Sequence, residues 1–382
     1  MGVFGPRAKI WARAERRYDN LNSDSQTILC CVASVGEYLY IAALIGHLKQ
    51  HVRIVVSVFS PDARDYLSRR YTDDKIQFVQ APFDTRESVS TLLKLTSPDH
   101  VIISGNEFWP IFLDQLTQRK IPFTYVGLTI NGDKKKGKLL IKLMSNYLLN
   151  AANLFTHSDK TAERLKALYI NRSYHLRVEE CIETNRTALP QNILAFISQY
   201  EKIFVFASVH KSDIETIKSL IPELTGSKYG SIIVPHHIDY DIIREISDSI
   251  ELQIPLSSAR NKVNGPLLLI DEVGHLQSLY AYATLCYVGG GFGEGLHSTI
   301  EPTINGVPTL IGPNHNKFPE VSLLIRAGYI RSIAQPSEAV DALSDLEKQS
   351  FNQMEALQAL GYFEHLGSED IALQIQTTLP SA

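Results

Sequence analysis

The segment from Cys286 to Pro313, CYVGGGFGEGLHSTIEPTINGVPTLIGP, has the residue types of an anion-binding turn. Gly289, Gly290 and Gly291 follow a short apolar run. Glycines let a backbone approach a ligand closely, and N–H groups at a helix start favour negative charge. Those N–H groups, with His297 and Ser298, suit a phosphate oxygen. Glu301 precedes Pro302 and offers two acceptor oxygens, enough for both hydroxyls of a ribose. GGFGEG lacks GxGxxG spacing, and no GK[ST] follows. Dinucleotide-dependent hydride transfer and P-loop ATP hydrolysis are therefore disfavoured.

Two carboxylates stand elsewhere in comparable positions. Glu37 follows Gly36 in ASVGE, where a strand gives way to a helix. Open parallel sheets present ligand-facing groups there. A carboxylate at that point can take a proton from an attacking hydroxyl, or it can simply stabilise the start of its helix. Glu107 lies in SGNEFWP beside Phe108, Trp109 and Pro110. An apolar surround can raise a carboxyl pKa or fix its orientation; an ordinary first-turn acid is the plainer alternative. Glu37 and Glu107 would share one rim as a base and a partner acid. A double-carboxylate metal site is the rival, but no third acid or histidine falls in equivalent register.

Ser208 and His210 in FASVHKSD, His236 and His237 in IVPHHID, and Asp271 and Glu272 in LLIDEVGHLQSLY each end a strand-like run. Singly, such histidines are more often structural than functional. Their repeated placement at strand ends suits binding of sugar hydroxyls or a phosphate.

The elements that must position these groups alternate along the chain. ILCCVA, VRIVVSVFS, IQFVQAPF, HVIISG and IPFTYVGLTI read as strands, with LFTHSD a further one. Helical stretches separate them, the first running from SVGE to about Gln50. LIKLMSNYLLNAA reads as a packed helix. The second half repeats the alternation with IFVFASVH, GSIIVPHH, GPLLLID, ATLCYVGG and VPTLIGP, and only helices are expected after Pro336. Strand and helix in alternation give a parallel sheet covered on both faces. The alternation thus predicts two successive α/β domains facing across a cleft, residues 1–188 and 189–365, with 366–382 a C-terminal helix or tail.

A chain of 382 residues is more than one core usually serves. Its hydrophobic content is 44% and its charged content 20%, as in a globular protein. A net charge of -4 argues against a broad basic surface for nucleic acid. Cys30, Cys31, Cys181 and Cys286 contain no CxxC pair, so reduced, buried thiols are expected rather than a disulfide framework or structural zinc. The N-terminal MGVFGPRAKIWARAERRYDN has no run long enough to cross a membrane. Its basic and apolar residues interleave, as in a surface helix, either solvated or lying on a membrane. Lys134, Lys135, Lys136 and Lys138 form a basic run, ordinarily a solvated loop, that can also attract an anionic acceptor.

In order, the segments ASVGE, FSPDARDY, PFDT, EFWP, FTHSD, VPHHID, DEVGHLQSLYAYA and YVGGGFGEGLHSTIEPTINGVPTLIGPNHNKF resemble those of the 3-deoxy-D-manno-octulosonic acid (Kdo) transferases. The resemblance covers roughly residues 25 to 335. It implies a GT-B glycosyltransferase with two Rossmann-like domains, the acceptor held by the first and the nucleotide donor by the second. It implies Kdo transfer from CMP-Kdo to a lipid A precursor in lipopolysaccharide core synthesis, without a metal or other cofactor. Such an enzyme would sit peripherally on the cytoplasmic face of a Gram-negative inner membrane. On this likeness Glu37 is the general base and Glu107 belongs to the acceptor-side catalytic region. Glu301 binds the donor ribose, and His297 and Ser298 lie near its phosphate. Ser208, His210, His236 and Gly289 to Gly291 complete the expected donor site.

The chain departs from the family pattern in several places. Asn106 stands where a basic residue commonly precedes EFWP. IETNRT, with Thr184 and Arg186, replaces a Gly-Asp-Thr-Arg/Lys pattern. His297-Ser298 stands where a member has His-Asn, and the membrane-spanning start of common members is absent from the sequence. These departures bear on acceptor identity and activity more than on fold. Other readings are a GT-B transferase with another sugar or acceptor, a catalytically silent binding protein on this fold, and, more weakly, a nucleotide-sugar epimerase.

Overall fold

Apolar, β-branched runs form two parallel sheets in the computed structural model, which describes residues 26–130, 144, 146–183, 188–238, 240–250, 254–260, 265–293, 295–349 and 351–380. The first sheet contains β1 (Thr27–Val32), β2 (Arg53–Val58), β3 (Ile76–Gln80), β4 (His100–Ser104), β5 (Phe123–Val126), β6 (Asn153–Thr156) and β7 (Asn171–Arg172). Their order is β3-β2-β1-β4-β5-β6-β7. The second contains β8 (Lys202–Val209), β9 (Tyr229–Pro235), β10 (Leu267–Leu269), β11 (Leu285–Val288), β12 (Thr309–Ile311) and β13 (Ile330–Ser332), in the order β10-β9-β8-β11-β12-β13. Both orders are of the doubly wound Rossmann type, apart from the added β7. The connections change direction between β1 and β4, and again between β8 and β11, which makes each pair a topological switch point.

Every residue of β1 and β4 is buried, because helices cover both faces of the sheet. One core joins Leu29, Val55, Val101, Ile103, Phe123 and Tyr125 to Phe112, Leu113 and Leu116 of helix Pro110–Gln118. The other joins Phe204, Phe206, Tyr287 and Leu310 to Ile217, Leu220 and Leu224 of helix Ile214–Thr225.

Local chemistry sets the helix starts. Ser60 accepts from the Ala63 N–H, ahead of Pro61 at the first turn. Thr85 and Ser158 cap their helices in the same way. Asp84 of the PFDT segment accepts from the N–H groups of Ile111 and Phe112 at 3.1 and 2.9 Å. That segment thereby holds the helix that follows EFWP. The single helix expected up to Gln50 is two, Val35–Tyr40 and Ala42–Leu48, interrupted at Ile41 with φ -108°. β7 and β13, two and three residues long, are too short to stand out as apolar runs.

The chain divides into two units, residues 1–180 with 364–382, and residues 181–363. The C-terminal segment thus belongs with the first unit. Its helix Ser368–Gln376 packs against Ala42–Leu48. Buried Glu179 accepts from the Ser368 N–H at 2.9 Å and from the hydroxyls of Ser368 and Tyr174. Thr378 Oγ1 bonds His100 Nδ1 at 2.7 Å.

All four cysteines are free and buried, as their spacing suggests. Burial pushes the Cys30 thiol up to about 12, so it stays protonated. Met144 and Leu148 of the LIKLMSNYLLNAA segment are buried in the first core. The N-terminal amphipathic stretch, the lysine run at 134–138 and Thr184 to Arg186 lie outside the described residues. Among the described residues no helix is long and apolar enough to cross a membrane.

Candidate functional site

In the first unit the candidate acids meet at the β1/β4 switch point. β1 ends at Val32, and Ser34 caps the next helix by accepting the Glu37 N–H at 3.3 Å. The Glu37 carboxylate turns back to accept the Ala33 N–H. This is nearly a capping box, so the plain helix-start role is real. The other oxygen, Oε1, lies over Gly105, the first residue after β4. Ser104 donates from Oγ to the Glu37 carbonyl at 3.1 Å, tying the two strand ends together.

Burial raises the Glu37 pKa to about 7; the Ala33 N–H opposes the rise and the Glu107 charge adds to it. Burial raises Glu107 as well. The two carboxyl groups therefore interact, as neighbouring acids on one rim should. Tyr125 donates its hydroxyl to the Glu107 carbonyl at 3.0 Å. Asn106 bonds Thr129 twice, its amide donating to Oγ1 at 2.8 Å and its carbonyl accepting from N–H at 2.7 Å. The Asn106 side chain thus pins the loop after β4 to the loop after β5.

In the second unit the groups after β8, β9 and β11 converge. His210, His236 and His297 have ligand nitrogens within 4.8 Å of one another. The two Nε2 atoms of His210 and His297 are 2.6 Å apart. Burial, then the neighbouring histidines, push His236 and His297 down to about 4. Both are neutral at pH 7.

The glycine turn needs its glycines for space. A Cβ at Gly289 would stand 2.4 Å from the Ser208 carbonyl oxygen, and one at Gly290, where φ is +86°, 2.1 Å from the Gly295 carbonyl oxygen. A Cβ at Gly291 would meet the Gly312 nitrogen at 2.7 Å. Ser208 itself has φ +51°, in the left-handed region. The Ser298 hydroxyl donates to Glu301 Oε2, which orients that carboxylate in the first turn of helix Ile300–Ile304.

Sequence reasoning overlooked Asp213. It is fully buried and accepts from the N–H groups of His210 and Gly290 at 2.8 and 2.9 Å and from the Tyr287 hydroxyl at 2.6 Å. One carboxylate thus joins the loop after β8 to the glycine turn after β11. The signal lay in SVHKSD, an acid three residues beyond a strand-end histidine. Asp271 and Glu272 instead close a loop: Asp271 accepts from the Ser258 N–H at 2.9 Å, and Glu272 pairs with Arg260 at 2.6 Å.

Residues 9–179 match the family model described as 3-deoxy-D-manno-octulosonic-acid transferase (kdotransferase). The chain is 27% identical over 325 residues to the 3-deoxy-D-manno-octulosonic acid transferase of Aquifex aeolicus (strain VF5), across 82% of this chain and 84% of that one. It is 23% identical over 383 residues to the protein of the same name from Haemophilus influenzae (strain ATCC 51907 / DSM 11121 / KW20 / Rd), across 94% of this chain and 88% of that one. Among solved structures it is similar to the UDP-GlcNAc 2-epimerase from Neisseria meningitidis bound to UDP-GlcNAc, with 14% identity, a TM-score of 0.61 and coverage of 92% of this chain and 99% of that one. That likeness shows the fold, GT-B with two Rossmann-like domains. The N-terminal region thus matches the 3-deoxy-D-manno-octulosonic acid transferase family model, and the chain is similar over most of its length to proteins that carry that name.

Proposed function

We propose that this protein transfers Kdo from CMP-Kdo to a lipid A precursor at the cytoplasmic face of a Gram-negative inner membrane. Support comes from relatives that carry the transferase name through both units. The observation that carries the chemistry is Glu37, a carboxyl at a switch point with its pKa raised to about 7. Such a group is ionised enough at neutral pH to accept a proton and basic enough to be useful.

In this reading Glu37 takes the proton of an acceptor hydroxyl. The hydroxyl oxygen bonds to the anomeric carbon of Kdo, and the bond from that carbon to the CMP phosphate oxygen breaks. Glu107 orients the acceptor side. In the second unit Glu301 takes the donor ribose hydroxyls, displacing or sharing the Ser298 contact. His210, His236, His297, Ser208, Ser298 and the N–H group of Gly291 face the phosphate, whereas the N–H groups of Gly289 and Gly290 donate instead to the Ala207 carbonyl and to Asp213. A single phosphate leaves without a pyrophosphate for a metal to bridge, so fixed dipoles suffice and the reaction needs no metal.

The acceptor's acyl chains call for apolar surface. Phe59 and Phe83 are exposed where β2 and β3 end, and the Phe59 ring stacks at 6.5 Å on Trp109 beside Glu107. These aromatic groups support a lipid acceptor on the first unit.

The test is incubation of purified protein with CMP-Kdo and a lipid A precursor in the presence of chelator, reading CMP release and acceptor mass together. A Kdo mass increment, lost in Glu37→Gln, is expected. Neither CMP nor modified acceptor from folded protein would reject the reading. The Asn106–Thr129 clasp favours one alternative, the same chemistry on a different acceptor. CMP release that requires another acceptor would establish it.

A further inference from the structure

Three imidazoles in the second unit converge from three different loops. His210 directly follows β8, His236 directly follows β9, and His297 lies beyond the glycine turn after β11. The backbone of each is fixed by its own hydrogen bond. His210 N–H donates to Asp213 Oδ2 at 2.8 Å, His236 N–H to the Val209 carbonyl at 3.0 Å, and His297 N–H to the Gly289 carbonyl at 3.2 Å. The rings then face one another, with centroids 4.6 Å apart for His210 and His236, 4.0 Å for His236 and His297, and 4.9 Å for His210 and His297.

We propose that His210, His236 and His297 form a binding site for a borderline transition-metal cation of the zinc class. Three imidazoles from three strand ends are a preferred ligand set for such an ion, and a fourth position is left for water. Zinc–nitrogen bonds of about 2.0–2.1 Å place tetrahedral ligand atoms roughly 3.3 Å apart. The observed nitrogens, all within 4.8 Å and two of them at 2.6 Å, bracket that spacing, so small ring rotations complete the site. His236 is exposed, which gives the ion a way in. This assignment rests on the ring geometry; the ion would take the side chains given above to the donor phosphate and is an alternative occupant of that place, so transfer assayed in chelator reads the ion-free form. An ion held here would tie together the loops after β8, β9 and β11.

The experiment titrates chelator-stripped full-length protein with Zn2+ and, separately, with Co2+. Calorimetry should give one tight Zn2+ equivalent per chain, the Co2+ form should show the visible bands of a tetrahedral site, and Tm should rise with Zn2+. His236→Ala and His297→Ala should each weaken Zn2+ binding by about tenfold or more. His51→Ala, at an exposed histidine of the other unit, should leave it unchanged. X-ray absorption of the wild-type Zn2+ form should count three imidazole ligands, a readout that stands even if a variant misfolds. Absence of a stoichiometric site, an absorption spectrum without three imidazoles, or binding that survives both histidine changes would overturn the proposal.

Discussion

Gly105 lies directly over the Glu37 carboxylate: a Cβ built on it would come 3.3 Å from Oε1. Its φ of +71° is also one that glycine alone adopts without strain. Gly105→Ala therefore carries two penalties, backbone strain and a pushed carboxylate. We expect a loss of about 1–3 kcal/mol in unfolding free energy, read by urea denaturation. Transfer activity should fall further than the population of folded protein does, because Oε1 is displaced. An alanine variant as stable and active as wild type would show that the contact does not constrain Glu37.

The raised pKa of Glu37 gives two pH signatures of opposite sense. As a base it must be ionised, so transfer should fall as pH drops through about 7. For stability, the folded-state pKa lies above the ordinary 4.5, so folding favours the protonated form. That contribution is present below about 4.5 and lost as pH rises toward 7. Glu37→Gln is always neutral and escapes this loss. The variant should lose transfer by about 100-fold or more while keeping donor binding. Its Tm relative to wild type should rise between pH 5 and pH 8. A wild-type activity profile flat across that range would remove Glu37 as the base.

Much of this was legible in the sequence, for reasons of pattern. Buried parallel strands appear as unbroken apolar runs, so ILCCVA and HVIISG placed Glu37 and Glu107 after strands, while the adjacency of those strands at a switch point is visible only in the sheet order. The glycines of GGGFGEG could be read as a close backbone approach. Part of what they approach is the protein itself, the Ser208 and Gly295 carbonyls and Gly312. Tertiary partners were not legible. Asp213, Asp84 and Glu179 look like ordinary surface acids in the sequence, yet each holds backbone N–H groups of a distant segment. The fold-back of Ser368–Gln376 onto the first unit was equally hidden, since an amphipathic helix does not announce what it packs on.

Asp213 should behave as a structural clasp of the glycine-rich turn after β11. Asp213→Ala leaves the His210 and Gly290 N–H groups and the Tyr287 hydroxyl without their acceptor in a buried place. A loss on the order of 3 kcal/mol is expected, visible as a lowered midpoint in urea. In Asp213→Asn the amide oxygen can replace only part of the carboxylate's acceptor capacity, so an intermediate loss is expected. Nucleotide binding should weaken in both, in the same order. An alanine variant with the wild-type midpoint would mean that water replaces the carboxylate.

Ser298 and Glu301 offer the sharpest separation of binding from chemistry. The Ser298 hydroxyl holds Glu301 Oε2, so each residue orients the other. If Glu301 receives the donor ribose, Glu301→Ala should weaken CMP binding by about tenfold or more, two hydrogen bonds to a charged acceptor being lost. Ser298→Ala should weaken it less, because the carboxylate remains and only its orientation is freed. A 2′-deoxy analogue of CMP should bind worse than CMP to wild type, yet equally badly to Glu301→Ala. Calorimetry on the four combinations forms a double-mutant cycle between one side chain and one hydroxyl. A coupling energy near zero would place the ribose elsewhere and leave Glu301 as a helix-start acid held by Ser298.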